Sequence, residues 1–222
     1  MLGARKRGFG MQTHEHGNLR LTKIGPLGPY DNNAYIIADR QSNEALIVDM
    51  PYGSEPLIEA ARGFQVRAIL LTHTHPDHWA EYDKVKEALD APVLCHPAEV
   101  IMPAAKIDEP LADQQKIEVG GLAVTPLHTP GHTPGSTCFV VGRYLLSGDV
   151  LFPGGPGRTQ TPVDLQQTLS SIRDRLLTLP GDTVVLPGHG ADTTIGDAKR
   201  EYEAFVARPH APDLCGDVTW TD

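Results

Sequence analysis

The sequence predicts an α/β sandwich, with sheets inside and helices outside. Three observations point to it. Short apolar runs of strand length recur along the chain, interspersed with segments whose apolar residues fall at helical spacing. The 22 glycines and 19 prolines are more than a helical bundle carries and suit a loop-rich α/β or β-rich fold. Apolar residues at 40% and charged residues at 21% are ordinary for a folded domain, and 222 residues can bury a core without disulfide staples.

Residues 1–18, with His14 and His16, are expected to be a flexible tail, and 19–222 a single domain. The text becomes strand-like from Leu19. Ala34 to Ile37 and Ala45 to Asp49 read as strands across the turn-prone Asp39 to Asn43. Tyr30-Asp-Asn-Asn33 reads as a turn. A short helix fits Glu55 to Arg62, and Ala68 to Thr72 is an apolar run expected of a strand buried on both faces. A helix is predicted from about His78 to Leu89, with Trp79, Tyr82, Val85 and Leu89 along one face. Val93 to His96 is another strand, and 97–116 is irregular. Strands follow at Leu122 to Leu127, Thr137 to Val141 and Tyr144 to Ser147. Asp164 opens a helix, with Gln167 as its expected capping-box partner and Leu165, Leu169, Ile172 and Leu176 as its apolar face. A strand at Thr183 to Leu186 and a helix at Asp197 to Val206 complete the chain.

Composition excludes several function classes. A formal net charge of −9 argues against nucleic acid and against anionic membrane surfaces as partners. Cys95, Cys138 and Cys215 are widely spaced and form no CxxC, so neither a disulfide framework nor a thiolate zinc site is expected. The basic start lacks a following apolar run, and no apolar segment reaches the ~18 residues of a membrane span, so the cytoplasm is the expected compartment.

The informative stretch is Thr72-His-Thr-His-Pro-Asp-His-Trp79. His73 and His75, two apart after a buried strand, aim both rings to one side of an extended chain. Pro76 turns the chain, so Asp77 and His78 fall at a helix start. Three imidazoles and a carboxylate within six residues form a ligand set for zinc or iron. His132, Asp149 and His189 each follow a predicted strand and sit beside glycine, which lets the chain turn sharply. His96 and His128 are expected to be supporting or structural, and Cys138 an inert thiol in an apolar strand.

With these residues in this order, the chain resembles the metallo-β-lactamase-fold hydrolases, over roughly Leu21 to Ala191. The resemblance implies a four-layer αββα sandwich with its site at one edge between the sheets. It implies that His73, His75 and His132 hold one metal and that Asp77, His78 and His189 hold a second. Asp149 would bridge the two, with Asp77 and Asp149 as the catalytic carboxylates. Two divalent ions are implied, zinc first, with iron or mixed iron and zinc as alternatives. Thr129-Pro-Gly-His-Thr-Pro-Gly-Ser136, Gly148-Asp-Val-Leu-Phe152, Gly157-Arg-Thr159 and the run from Leu179 to Gly190 are similar to the glyoxalase II-like branch. That branch implies hydrolysis of an S-acylglutathione. Two features depart from it. Only 33 residues follow His189, too few for the helical C-terminal domain that helps hold glutathione there. Trp79-Ala80 stands where the family usually has a small residue and glycine.

The chemistry agrees with the resemblance. Two cations about 3.5–4 Å apart can share a hydroxide and polarise a carbonyl. With no serine or cysteine nucleophile motif in view, a metal-bound hydroxide is the expected attacker. The ions would turn a site charge of about −2 into about +2 and attract a small anionic substrate. Few acids other than metal ligands stand in these motifs. Thioesters or esters are therefore favoured over amides, since a thiolate leaves unaided. Arg158 and Trp79 are the candidate substrate-binding residues, with loop capping as the other reading of Arg158 and core packing on its helix face as the other reading of Trp79. A mononuclear-iron persulfide dioxygenase, using only His73, His132 and Asp149, is the alternative. A lactonase, a nuclease or a non-catalytic di-iron module is expected less.

Overall fold

The computed structural model describes residues 10–221. The first half of the chain supplies β1 (Gly10–His16), β2 (Leu19–Leu27), β3 (Asn32–Asp39), β4 (Glu44–Val48), α1 (Glu55–Ala61), β5 (Gln65–Leu70), α2 (Tyr82–Leu89), β6 (Val93–Cys95) and β7 (Glu109–Pro110). The sheet order follows the chain, antiparallel from β1 to β4 and parallel from β4 to β7. Helices α1 and α2 make the crossovers that parallel neighbours require.

The second half begins with the antiparallel β8 (Ile117–Val119), β9 (Leu122–His128), β10 (Thr137–Val141) and β11 (Tyr144–Gly148). A small hairpin of β12 (Leu151–Phe152) and β13 (Gly155–Pro156) and helix α3 (Pro162–Ser171) follow. Strand β14 (Val184–Pro187) then lies parallel to β11, with β15 (Thr193–Thr194) on its far side and α4 (Ile195–Val206) beyond.

Side-chain alternation makes the layers. Along β3, Ala34, Ile36 and Ala38 face the layer of α1 and α2, where Leu57, Ala61 and Val85 are buried. Tyr35 and Ile37 face the other way and meet Phe139, Leu146 and Leu186 of the second sheet. On that sheet's outer face, Cys138, Leu145 and Val185 pack under Leu165, Leu169, Ala198 and Phe205 of α3 and α4. The order is helices, sheet, sheet, helices, as the sequence predicts. Each large apolar side chain buried here contributes about 1.5–3 kcal/mol. The mostly exposed ion pairs contribute about 0–1 kcal/mol each, so the three apolar layers hold the fold.

Three expectations change. Residues 10–16, assigned by sequence to a flexible tail, form edge strand β1, because Thr13 and its neighbours find a full antiparallel register on β2; residues 1–9 lie outside the described residues. The helix predicted from His78 is a 3-10 turn over Pro76–His78, and α2 begins only at Tyr82. The cause is the backbone of Met50, which donates to His78 O at 2.7 Å and accepts from Glu81 N at 3.0 Å, diverting the groups a helix would pair internally. The capping box on α3 is Thr161 with Asp164, not Asp164 with Gln167, and Pro162 fills the first turn. Among the described residues no helix is long and apolar enough to cross a membrane.

Candidate metal centre

Strand ends carry the polar residues of the site to one rim of the sandwich. The end of β5 leads into Thr72 to His78, the end of β4 into Asp49, and the end of β11 into Asp149. His132 lies in the β9–β10 loop and His189 just beyond β14. Two glycines make the convergence possible. A Cβ on Gly188 would lie 2.3 Å from Asp149 Oδ1 and 2.7 Å from His78 Cε1. A Cβ on Gly157 would lie 1.7 Å from the Asp149 carbonyl.

All seven sequence-predicted residues meet at this rim. His73 Nε2, His75 Nδ1 and His132 Nε2 form a triangle with sides of 3.1, 2.9 and 3.3 Å. Nitrogens 2.0–2.1 Å from a tetrahedral zinc would be about 3.3 Å apart, so the triangle is the right size for one face of such a site. Beside it, His78 Nε2 and His189 Nε2 are 3.2 Å apart, and Asp77 Oδ2 is 3.6 and 3.3 Å from them. Asp149 reaches both groups, with Oδ2 3.8 Å from His132 Nε2 and 3.3 Å from His189 Nε2, and Oδ1 3.4 Å from His78 Nε2.

The far side of the rings decides what these atoms are. His132 Nδ1 lies 2.8 Å from the Arg158 carbonyl and His189 Nδ1 2.8 Å from the Tyr30 carbonyl. A carbonyl only accepts, so each Nδ1 carries a proton, and in the neutral ring each Nε2 turns a lone pair inward. His78 Nδ1 donates in the same way to Asp49 Oδ2 at 2.8 Å. Thr72 Oγ1 gives its own hydrogen to Asp49 and accepts from His73 Nδ1 at 3.1 Å. With the rings neutral, as a cation requires, four lone pairs would converge here, and Asp149 Oδ1 is buried without a hydrogen bond. That donor set fits divalent cations, and such outer partners commonly orient metal-binding histidines.

Electrostatics agree with this reading. Burial and the neighbouring His78 hold His73 well below the usual histidine range, and burial lowers His75 and His132, so this triangle is neutral and able to ligate. Burial would raise the Asp149 carboxyl, but His78 and His189 keep it well below the usual carboxylate range. Burial opposes protonation of His189, yet hydrogen bonds to Asp149 and Asp77 push it up to about 10. Without a cation this half of the site therefore draws protons in its place.

An open groove of about 340 Å³ runs from His132, Asp149 and His189 past Phe152 to Arg158 and Asp217. Arg158 lines it as expected, exposed and 3.7 Å from Asp217. Trp79 does not line it. Its ring packs against the α1–α2 layer and its Nε1 donates to Thr74 O at 3.0 Å, so it props the ligand loop from beneath. His96 and His128 are outside the donor sets and stack with centroids 3.8 Å apart. Sequence reasoning missed Asp49 and Asn32. Asn32 Nδ2 donates to Asp77 Oδ2 at 2.8 Å and fixes that carboxylate. Asp49 carries a readable signal, a carboxylate directly after a buried strand, as Asp149 does.

Fold and site together define an αββα protein with a histidine–carboxylate centre suited to a pair of metal ions. The chain belongs to the metallo-beta-lactamase superfamily, whose family model matches residues 27–189. It is 36% identical over 193 residues to the probable metallo-hydrolase YqgX of Bacillus subtilis, covering 77% of this chain and 90% of that one. It is 33% identical over 205 residues to the hydroxyacylglutathione hydrolase GloC of Haemophilus influenzae, covering 80% and 94%. Among solved structures, TTHA1623 in a di-iron-bound form superposes with a TM-score of 0.64 at 33% identity, covering 78% of this chain and 95% of that one.

Proposed function

We propose that this protein hydrolyses small anionic thioesters of the S-acylglutathione type, or related esters, with two divalent cations. His73, His75 and His132 would hold one, Asp77, His78 and His189 the other, and Asp149 both. The observation that carries the reading is the convergence of these donor atoms, each ring fixed from behind, on one groove. When bound, such a pair of ions supplies Lewis acidity and a nucleophile generated from water near neutral pH.

The chain's own residues supply the rest. Asp77 and Asp149 stay ionised and supply the negative charge that a pair of cations requires. Asn32 keeps Asp77 from swinging away. Arg158, at the groove wall, offers a guanidinium to a substrate carboxylate. Outside the donor sets, the only carboxyl lining the groove among the described residues is Asp217, and it is paired with Arg158. A site with no spare acid suits a leaving group that departs without a proton. A thiolate does so and an amide nitrogen does not. Similarity to a hydroxyacylglutathione hydrolase supports the same substrate class.

A paired assay tests this. Hydrolysis of lactoyl-glutathione is measured beside oxygen uptake with glutathione persulfide, with metal content determined on the same sample. Thioester hydrolysis with about two ions per chain is expected. Oxygen uptake with one iron per chain would replace the reading by a persulfide dioxygenase built on His73, His132 and Asp149.

A further inference from the structure

Glu99 belongs to neither donor set and does not line the groove, yet four donors converge on its buried side chain. Oε2 accepts from Thr74 N at 3.1 Å and from Thr74 Oγ1. Oε1 accepts from Gly135 N at 3.1 Å and from Thr133 Oγ1. Thr74 stands between His73 and His75, and Thr133 directly follows His132. One carboxylate therefore grips both segments that carry the His73–His75–His132 triangle, one oxygen on each. The fit is close, since a Cβ on Gly135 would come within 2.6 Å of Glu99 Cγ. The two segments belong to different sheets, one after β5 and the other between β9 and β10. Glu99 stands at their junction, against a cavity of about 260 Å³ lined by Cys95, Met102 and Ile107.

We propose that Glu99 is a positioning residue that sets the distance between the His73–His75 pair and His132, and with it the affinity of the first cation. The inference rests on the metal reading above. A functional metal site must be held within about 0.5 Å of its productive geometry, and a two-oxygen clamp across the joint supplies that constraint. The two backbone N–H groups, one on each segment, can only donate and so require an acceptor oxygen each. In Glu99→Gln the volume is kept, but the amide NH2 must face either Thr74 N or Gly135 N. That N–H loses its acceptor while the neighbouring threonine hydroxyl turns to accept, so one segment is loosened. In Glu99→Ala both are released.

Metal-free native protein and both variants are titrated with Co(II) and with Zn(II) against a chromophoric chelator, with the Co(II) visible spectrum recorded. The native chain should bind two ions. Glu99→Gln should weaken one of them by about 10–100-fold, leave the other within a few-fold, and change the Co(II) bands. A native chain that binds no ions would overturn the metal reading and this inference together. A native chain binding two ions, with Glu99→Gln equal to it in affinity and spectrum, would overturn this inference alone. Equal weakening of both ions would make Glu99 a general structural brace and also overturn it. If Glu99→Ala does not fold, Glu99→Gln, which opens no cavity, decides.

Discussion

Asp49 and His78 form a buried pair, Nδ1–H to Oδ2 at 2.8 Å, at the junction of two strand ends. The same carboxylate accepts from Thr72 N at 2.9 Å and Thr72 Oγ1 at 2.8 Å, and Thr72 in turn orients His73. Asp49 therefore governs one ring in each donor set without touching the groove. Its backbone is left-handed, φ 64°, a conformation that asparagine also tolerates.

Asp49→Asn keeps that backbone and turns an NH2 toward donors. Whichever way the amide faces, either Thr72 loses an acceptor or His78 is forced to protonate Nε2 and point a hydrogen into the site. The metal-free variant should lose about 1–3 kcal/mol of stability, read from urea unfolding. Cation affinity should fall about 10–100-fold, read by chelator competition. Unchanged affinity would show that His78 needs no such partner.

Asp149 and Arg158 should separate chemistry from binding. Removing the carboxylate that reaches both donor sets in Asp149→Ala forfeits several kcal/mol of transition-state stabilisation, so kcat should drop by about a thousandfold or more, with fewer ions bound. Arg158→Ala, at the exposed end of the groove, should chiefly raise KM and leave metal content intact. Similar kinetic losses in the two variants would place Arg158 in the chemistry.

The cysteines make a pH prediction. Burial pushes Cys95 and Cys138 up to about 12, whereas Cys215 is only partly buried. At neutral pH a thiol reagent should label one cysteine per folded chain quickly and three after denaturation. A thiol that keeps its proton in the folded state stabilises fully below the unfolded value of about 8.5. That contribution is lost as pH rises from there toward about 12, so urea midpoints should fall over this interval. Cys138→Ala should flatten part of that fall.

Much of this architecture is legible in the sequence because burial writes simple patterns. Ala68 to Thr72 is continuously apolar because β5 is covered on both faces, and Leu165, Leu169, Ile172 and Leu176 are all buried at helical spacing. The seven candidate metal-site residues are readable because each follows a strand and stands in a glycine- or proline-marked turn. Other features depend on contacts distant in sequence. Residues 10–16 carry no strand signal of their own and become a strand only through β2. The start of α2 is set by Met50, some thirty residues upstream. Trp79, beside the candidate ligand His78, reads in sequence as either pocket wall or core, and only the fold, with its indole N–H held by Thr74 O, places it against the core. Glu99 lies in a stretch without periodicity, and only the closed fold shows what it grips.

The donor atoms come from both sheets: His73 to His78 from the end of β5, and His132, Asp149 and His189 from β9, β11 and β14. A cation held there would act as a removable rivet through the sandwich. At a free concentration a hundred times its dissociation constant it would add about 2.7 kcal/mol to folding, as much as burying one large apolar side chain. The abundance of folded protein in the cell would then follow the supply of the ion, and metal starvation would thin the population as well as silence it.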